Sequence, residues 1–189
     1  AVIYSTEYLS TLPEHEKRSG FAEVIKHALI ADQNLYKMLR KNICTIDDLK
    51  GEHLHQALIR GIEIKNNIVT EDEKEKGIRA YLNFGHTLGH AIEGEVRYKG
   101  ITHGEAVAHG MLFALSLKKE TAHIAFELKE WLTTLGYPPL PKHLSIPSLI
   151  NRMKKDKKAE KGTIQMVLLD GLEKPYLSSY QAEVLEEKL

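Results

Sequence analysis

Apolar residues recur at helical spacing along most of the chain, and only a few short runs alternate or stay continuously apolar. In Gly20-Phe-Ala-Glu23-Val-Ile-Lys26-His27-Ala-Leu-Ile-Ala, the residues Phe21, Val24, Ile25, Ala28 and Leu29 share one face. This predicts an amphipathic helix with Ser19 as its N-cap. Thr45-Ile-Asp-Asp48 matches a helix-opening box, and Leu54, Ala57, Leu58, Ile62, Ile64 and Ile68 then predict a second long helix with Lys65 near its end. Ala106, Val107, Gly110, Met111, Ala114, Leu115 and Leu117 predict a strongly apolar, tightly packed helix. Further helices are expected from about Ala122 to Leu135, closed by Gly136, from Ser148 to Lys155, and from Gln181 to Lys188. Strands are expected over Ala1–Ser5 and Thr163–Leu169, the latter ended by the turn pair Asp170-Gly171. The fold class is mainly α with a few short strands, in one domain over residues 1–189.

One stretch departs from ordinary amphipathic design. Arg79, Asn83, His86 and His90 are spaced by four, three and four, so a helix or helix-like turn puts them on one polar, cationic face. Gly85 and Gly89 lie within it, and each costs a helix interior about 1 kcal/mol against Ala. Close approach of a ligand or of another backbone must offset them. His103-Gly-Glu105 follows soon after. His109, inside the next helix, reads as structural, and Met166 reads as core. Asp72-Glu-Lys-Glu-Lys76 reads as a solvated turn.

Glu23, His86, His90 and His103 are the candidate ligands for a metal such as zinc, which in catalytic sites takes three protein ligands and keeps one position open. From spacing alone, Glu23 and Lys26 can equally be a surface ion pair. No Glu follows His86 as a hydrolytic His-Glu-x-x-His helix requires, so a protease does not fit. Lys26, Lys65, Arg79 and one of Lys157 or Lys158, with the amide of Asn83, suggest an anionic substrate.

Charge narrows the classes. The chain has 26 Lys plus Arg against 26 Asp plus Glu, which argues against a general nucleic-acid or anionic-membrane surface. The single cysteine, Cys44, excludes an intrachain disulfide and any multi-cysteine metal site, and fits a cytoplasmic home. No apolar run is long enough to span a bilayer. The first residue is not Met, and a piece of a longer protein is expected.

The motifs Gly20-Phe-Ala-Glu23-Val-Ile-Lys26, Arg79-Ala-Tyr-Leu-Asn83-Phe-Gly-His86-Thr-Leu-Gly-His90 and His103-Gly-Glu-Ala-Val-Ala closely resemble the C-terminal domain of 3-dehydroquinate synthase. Thr11-Leu-Pro13, Asp72-Glu73 and Asp156-Lys-Lys158 support the resemblance, which covers nearly the whole chain in order. It implies Glu23, His86 and His103 as ligands of zinc, or of cobalt in its place. It further implies Lys65 and Arg79 on a substrate carboxylate, and Asn83, His90 and Lys157 on a phosphate. Lys26 is implied beside the metal-bound substrate, and Tyr8, Leu9, Ser10 and Thr11 at the edge of NAD. The implied reaction converts 3-deoxy-D-arabino-heptulosonate 7-phosphate to 3-dehydroquinate and phosphate in the shikimate pathway, in an enzyme that is a homodimer. Nothing in the sequence resembles the family's N-terminal NAD-binding domain, so this chain is expected to be inactive alone. Other sugar phosphate cyclases, a metal-dependent polyol dehydrogenase and a non-catalytic helical module are the competing readings.

Overall fold

The computed structural model describes residues 5–97, 99–155 and 163–189. The expected strand at Ala1–Ser5 lies outside these residues except for Ser5, which is in no strand.

The first helix, α1 (Glu14–Ala31), buries Phe21 and Ala22 and then every residue from Val24 to Ile30. Its second half is thus buried nearly all round, as in the middle of a fold, while residues 14–20 stay at the surface, and α1 packs against three later helices. It starts five residues before Ser19. Pro13, at φ −65° and ψ 155°, is its N-cap, and Glu14 and Glu16 complement the positive end of the helix dipole. Ser19 is therefore not a cap. Its hydroxyl instead accepts the backbone N–H of Gly104 at 3.0 Å.

Asp32 ends α1 and caps α2 (Gln33–Asn42), its carboxylate accepting Leu35 N–H at 2.9 Å. This helix was not expected, because only Leu35, Tyr36 and Leu39 are buried in an otherwise polar run. The box at Thr45–Asp48 is formed as expected, yet it closes only a 3-10 turn over Ile46–Asp48. The long helix α3 (Gly51–Glu71) starts three residues later.

A second 3-10 turn (Ile78–Asn83) precedes α4 (His86–Glu95), which is followed by α5 (His103–Ser116), α6 (Ala122–Thr134) and α7 (Ile146–Lys155). Strands β1 (Thr163–Leu169) and β2 (Pro175–Gln181) then form an antiparallel pair in which Thr163 faces Gln181 and Leu169 faces Pro175. The short α8 (Ala182–Glu186) ends the chain's regular structure. Strand β2 was not expected either. It has no buried residue, and only its backbone pairing with the largely buried β1 makes it a strand.

One hydrophobic cluster runs through all of these helices, with Ala106, Val107, Met111, Ala114 and Leu115 of α5 at its centre. Two close approaches set the position of α5. A Cβ on Gly110 would lie 1.8 Å from the carbonyl oxygen of Gly85, and one on Gly104 would lie 2.0 Å from that of Ser19. The α4 and α1 backbones thus touch α5 where only glycine fits. The expected compensation for Gly85 is an approaching backbone rather than a ligand. Among the described residues, no helix is long and apolar enough to cross a membrane.

Candidate metal centre

Three helices each bring one metal-capable side chain to a common point. Glu23 lies midway along α1. Gly85 adopts a left-handed φ of 81°, which ends the 3-10 turn and makes His86 the first residue of α4. Arg79, Asn83, His86 and His90 therefore do not share one continuous helix, because the chain breaks direction between Asn83 and His86. Thr102 caps α5 in a reciprocal box with Glu105, which makes His103 the first residue of that helix.

His86 Nε2 lies 3.8 Å and His103 Nε2 4.0 Å from Glu23 Oε1, and all three donor atoms fall within 4.8 Å of one another. Donors around a tetrahedral zinc, bound at about 2.0–2.2 Å, are spaced roughly 3.4 Å apart, so only a small inward adjustment separates this trio from a binding geometry. The most telling atom is Glu23 Oε1. It is shut off from solvent and has no hydrogen-bond donor, a condition that costs about 1–3 kcal/mol or more for a charged group. A cation between the three residues satisfies it.

The neighbours prepare these groups for binding. Glu23 Oε2 accepts Lys26 Nζ at 2.6 Å, with the lysine side chain only 3% exposed. The pair is therefore internal rather than the surface bridge that spacing allows. Burial pushes the Glu23 carboxyl up, but the charge and hydrogen bond of Lys26, with smaller pulls from His86 and His27, hold it below the usual carboxylate range. Burial and the nearby Lys26 charge push His86 down to about 4. Its Nδ1 faces the carbonyl of Phe84 at 3.3 Å, and a carbonyl only accepts, so the proton sits on Nδ1 and Nε2 presents a lone pair.

Burial and Lys26 also bring His27 down to about 4. His27 and His86 bind protons more readily unfolded, near pH 6.5, than folded, near 4. Stability of the metal-free chain is then full above the unfolded value and is lost as pH falls from about 6.5 towards 4, by roughly 2 kcal/mol per histidine between pH 7 and 5. Urea midpoints at the two pH values check this, and His27→Gln is expected to remove about half of the slope. An unchanged slope in that variant sinks the assignment to His27.

A cavity of about 480 Å³ opens beside the trio, lined by Asn83, His86 and His90 on one side and by Gln165 and Met166 of β1 on the other. His90 stacks edge-on against His86, with ring centroids 5.2 Å apart. Glu75 and Lys76 line it too, so the charged run is more than a solvated turn. Asp72 organises that turn by accepting the backbone N–H groups of Lys76, Gly77 and Arg79. Asn83 donates to Glu75. The Arg79 guanidinium is turned to the carbonyl of Glu73, at 2.7 Å, rather than into the cavity. Lys65 is exposed on α3, close enough for its charge to lower Lys26 and His27. His109 is structural, as expected, meeting the Pro138 carbonyl at 2.9 Å. Met166 is core, as expected, while also touching the cavity.

Tyr8, Leu9, Ser10 and Thr11 lie in a mostly exposed 3-10 turn (Glu7–Thr11) in which the Ser10 and Thr11 hydroxyls donate to the carbonyls of Glu7 and Tyr8. Leu9 and Ser10 line a different cavity with Lys17, Asp47 and Lys50, so the structure does not bring this turn to the histidines. Lys157 lies outside the described residues. Glu93, whose carboxylate meets His103 Nδ1 at 3.0 Å, was not singled out in the sequence. It continues the four-and-three spacing of His86 and His90, and that was the available signal.

Residues 20–159 match the family described as 3-dehydroquinate synthase C-terminal. The chain is 55% identical over 172 residues to 3-dehydroquinate synthase of Bacillus cytotoxicus and 53% identical over 172 residues to that of Bacillus anthracis, covering 89% of this chain and 47% of each relative. It spans about half the length of the curated relatives it matches. Among solved structures, a 2-deoxy-scyllo-inosose synthase complexed with carbaglucose-6-phosphate, NAD+ and Co2+ superposes with a TM-score of 0.79 at 24% identity, covering 94% of this chain and 53% of that one. The 2-epi-5-epi-valiolone synthase of Streptomyces hygroscopicus, with NAD+ and Zn2+ bound, gives 0.83 at 20% identity, covering 96% and 52%. These two similarities show a shared fold.

Proposed function

Because this chain belongs to the 3-dehydroquinate synthase C-terminal family, we propose that it is the metal- and substrate-binding part of an enzyme that converts 3-deoxy-D-arabino-heptulosonate 7-phosphate to 3-dehydroquinate and phosphate. The observation that carries this reading is the donor-less Glu23 Oε1 facing two imidazole nitrogens. Glu23, His86 and His103 hold the ion, which is zinc, with cobalt able to replace it. When bound, the ion supplies Lewis acidity to a substrate hydroxyl or carbonyl.

The chain's own residues position the substrate. Lys26 keeps the Glu23 carboxylate oriented and balances its charge. Asn83 and His90 face the cavity, where they hold the phosphate, a role the family resemblance also gives Lys157, and Lys65 and Arg79 meet the carboxylate once Arg79 leaves Glu73. NAD carries the hydride and is held mostly by the part of the relatives' length that this chain does not span, with residues 8–11 at its edge. Turnover therefore belongs to the longer protein, and this chain alone binds without turning over. Fixed positive charge around the phosphate favours its departure.

Arg79's engagement with Glu73 favours a second reading, a cyclase whose sugar phosphate lacks a carboxylate. Calorimetry on the zinc-loaded chain separates the two. The heptulosonate phosphate is expected to bind at least tenfold more tightly than glucose 6-phosphate, with no phosphate released when NAD is added. Equal affinities favour the second reading, and phosphate release by this chain alone sinks the assignment of turnover to the longer protein.

A further inference from the structure

We propose that Glu93 is the positioning residue of the metal centre. It holds the His103 ring through Nδ1, in the tautomer that leaves Nε2 available to the ion. The inference rests on Glu23, His86 and His103 being the ligand set.

His103 is the least enclosed of the three ligands, with 43% of its side chain exposed. As the first residue of α5 it lacks a preceding helical turn to pack against. Something else must fix its ring. Glu93 lies two turns along α4 from His86, on the same face as His86 and His90. Its side chain is only 10% exposed, and a buried carboxylate is retained only when it is paired. Its partner is His103 Nδ1, at 3.0 Å. A carboxylate accepts and does not donate, so the proton lies on Nδ1. The other ring nitrogen, Nε2, is the atom 4.0 Å from Glu23 Oε1. Carboxylates behind metal-bound histidines orient the ring and raise its basicity. Helix α4 thus supplies a ligand at its start and the support for a second ligand near its end.

A rival role is visible. The donor atoms of His90, Glu93 and His103 also lie within 4.8 Å of one another, so Glu93 can be imagined as a ligand itself. That arrangement breaks the Glu93–His103 hydrogen bond and leaves Glu23 Oε1 with no partner, which favours the positioning role.

Cobalt titration of this chain, followed by visible absorption, separates the roles. Glu93→Leu is expected to weaken Co2+ binding about 100-fold and Glu93→Gln, whose amide oxygen still accepts from Nδ1, about tenfold, with one ion per chain retained in both. In the metal-free chain, imidazole ¹⁵N spectra are expected to show the His103 proton on Nδ1 in the parent and spread over both nitrogens in Glu93→Leu. If the leucine variant does not fold, the near-isosteric Glu93→Gln carries the test. A folded Glu93→Gln that binds Co2+ within threefold of the parent overturns the proposal. So does stoichiometric binding that survives Glu23→Gln but is abolished in Glu93→Gln, which makes Glu93 a ligand. If the parent itself takes up no Co2+, the ligand set fails, and the His103 proton then decides for Glu93: on Nδ1 it upholds the hold on the ring, on Nε2 it overturns it.

Discussion

Glu23→Gln is expected to reduce bound zinc from about one ion per folded chain to less than a tenth, measured by elemental analysis after loading and gel filtration. The amide keeps the shape of the side chain but loses the charge that a divalent ion requires beside two neutral imidazoles. The same change strands Lys26, whose side chain is 3% exposed and whose ammonium is paired with Glu23 Oε2. Removing one partner of a buried pair costs about 3 kcal/mol or more. Burial already lowers Lys26 below its ordinary range, so the lysine can respond by releasing its proton, and the stability loss is expected to shrink as pH rises. The double variant Glu23→Gln, Lys26→Met separates the two effects. It is expected to recover most of the stability and none of the zinc. Full zinc occupancy in folded Glu23→Gln sinks the ligand assignment.

Gly104→Ala is expected to cost roughly 3 kcal/mol or more, a lowering of the thermal midpoint by about 6–12 °C for a domain of this size. The added carbon meets the Ser19 carbonyl oxygen at 2.0 Å and the Ser19 Cα at 2.5 Å. Both are backbone atoms and cannot rotate aside. The helices there are also joined by the Ser19–Gly104 hydrogen bond and by the Arg18–Glu105 ion pair at 2.9 Å, so relief by sliding breaks those contacts. Glu23 lies one turn beyond Ser19 and His103 immediately before Gly104. Separating α1 from α5 therefore separates two ligands, and zinc affinity is expected to fall together with stability. Gly20→Ala is the matched control, since its Cβ meets nothing within 4 Å. That variant is expected to gain about 1 kcal/mol from helix propensity. An unshifted midpoint in Gly104→Ala contradicts the packing argument.

The contrast between Gly20 and Gly104 shows what the sequence could convey. The apolar faces of α1, α3, α5 and α6 were legible because their spacing is local, and so was the mainly helical class. The start of α1 was misplaced because Ser19 has the chemistry of a cap, and only the arrival of α5 shows that its hydroxyl is committed elsewhere. Helix α2 and strand β2 carry little local signal for a related reason. α2 buries only three residues in a polar run and β2 none, and packing or pairing with another element decides each conformation. Within the site, the four-three-four spacing gathered His86 and His90 on one helix. It also placed Arg79 and Asn83 with them; the left-handed Gly85 breaks the helix between, yet Asn83 still lines the same cavity while Arg79 turns away. The ligand trio came from resemblance, since no spacing rule links residues 23, 86 and 103. Their convergence became visible only in three dimensions, as did Glu93 behind His103.

Because the proposed ligands sit on α1, α4 and α5, which meet through the core rather than through neighbouring loops, an ion bound there recognises the assembled fold and has no counterpart in the unfolded chain. Occupancy then becomes a global stabiliser by mass action, worth about 2.7 kcal/mol at a free-metal concentration 100 times the dissociation constant. With an ion bound, the population that unfolds, and with it the rate at which proteases remove the chain, depends on metal supply as well as on sequence.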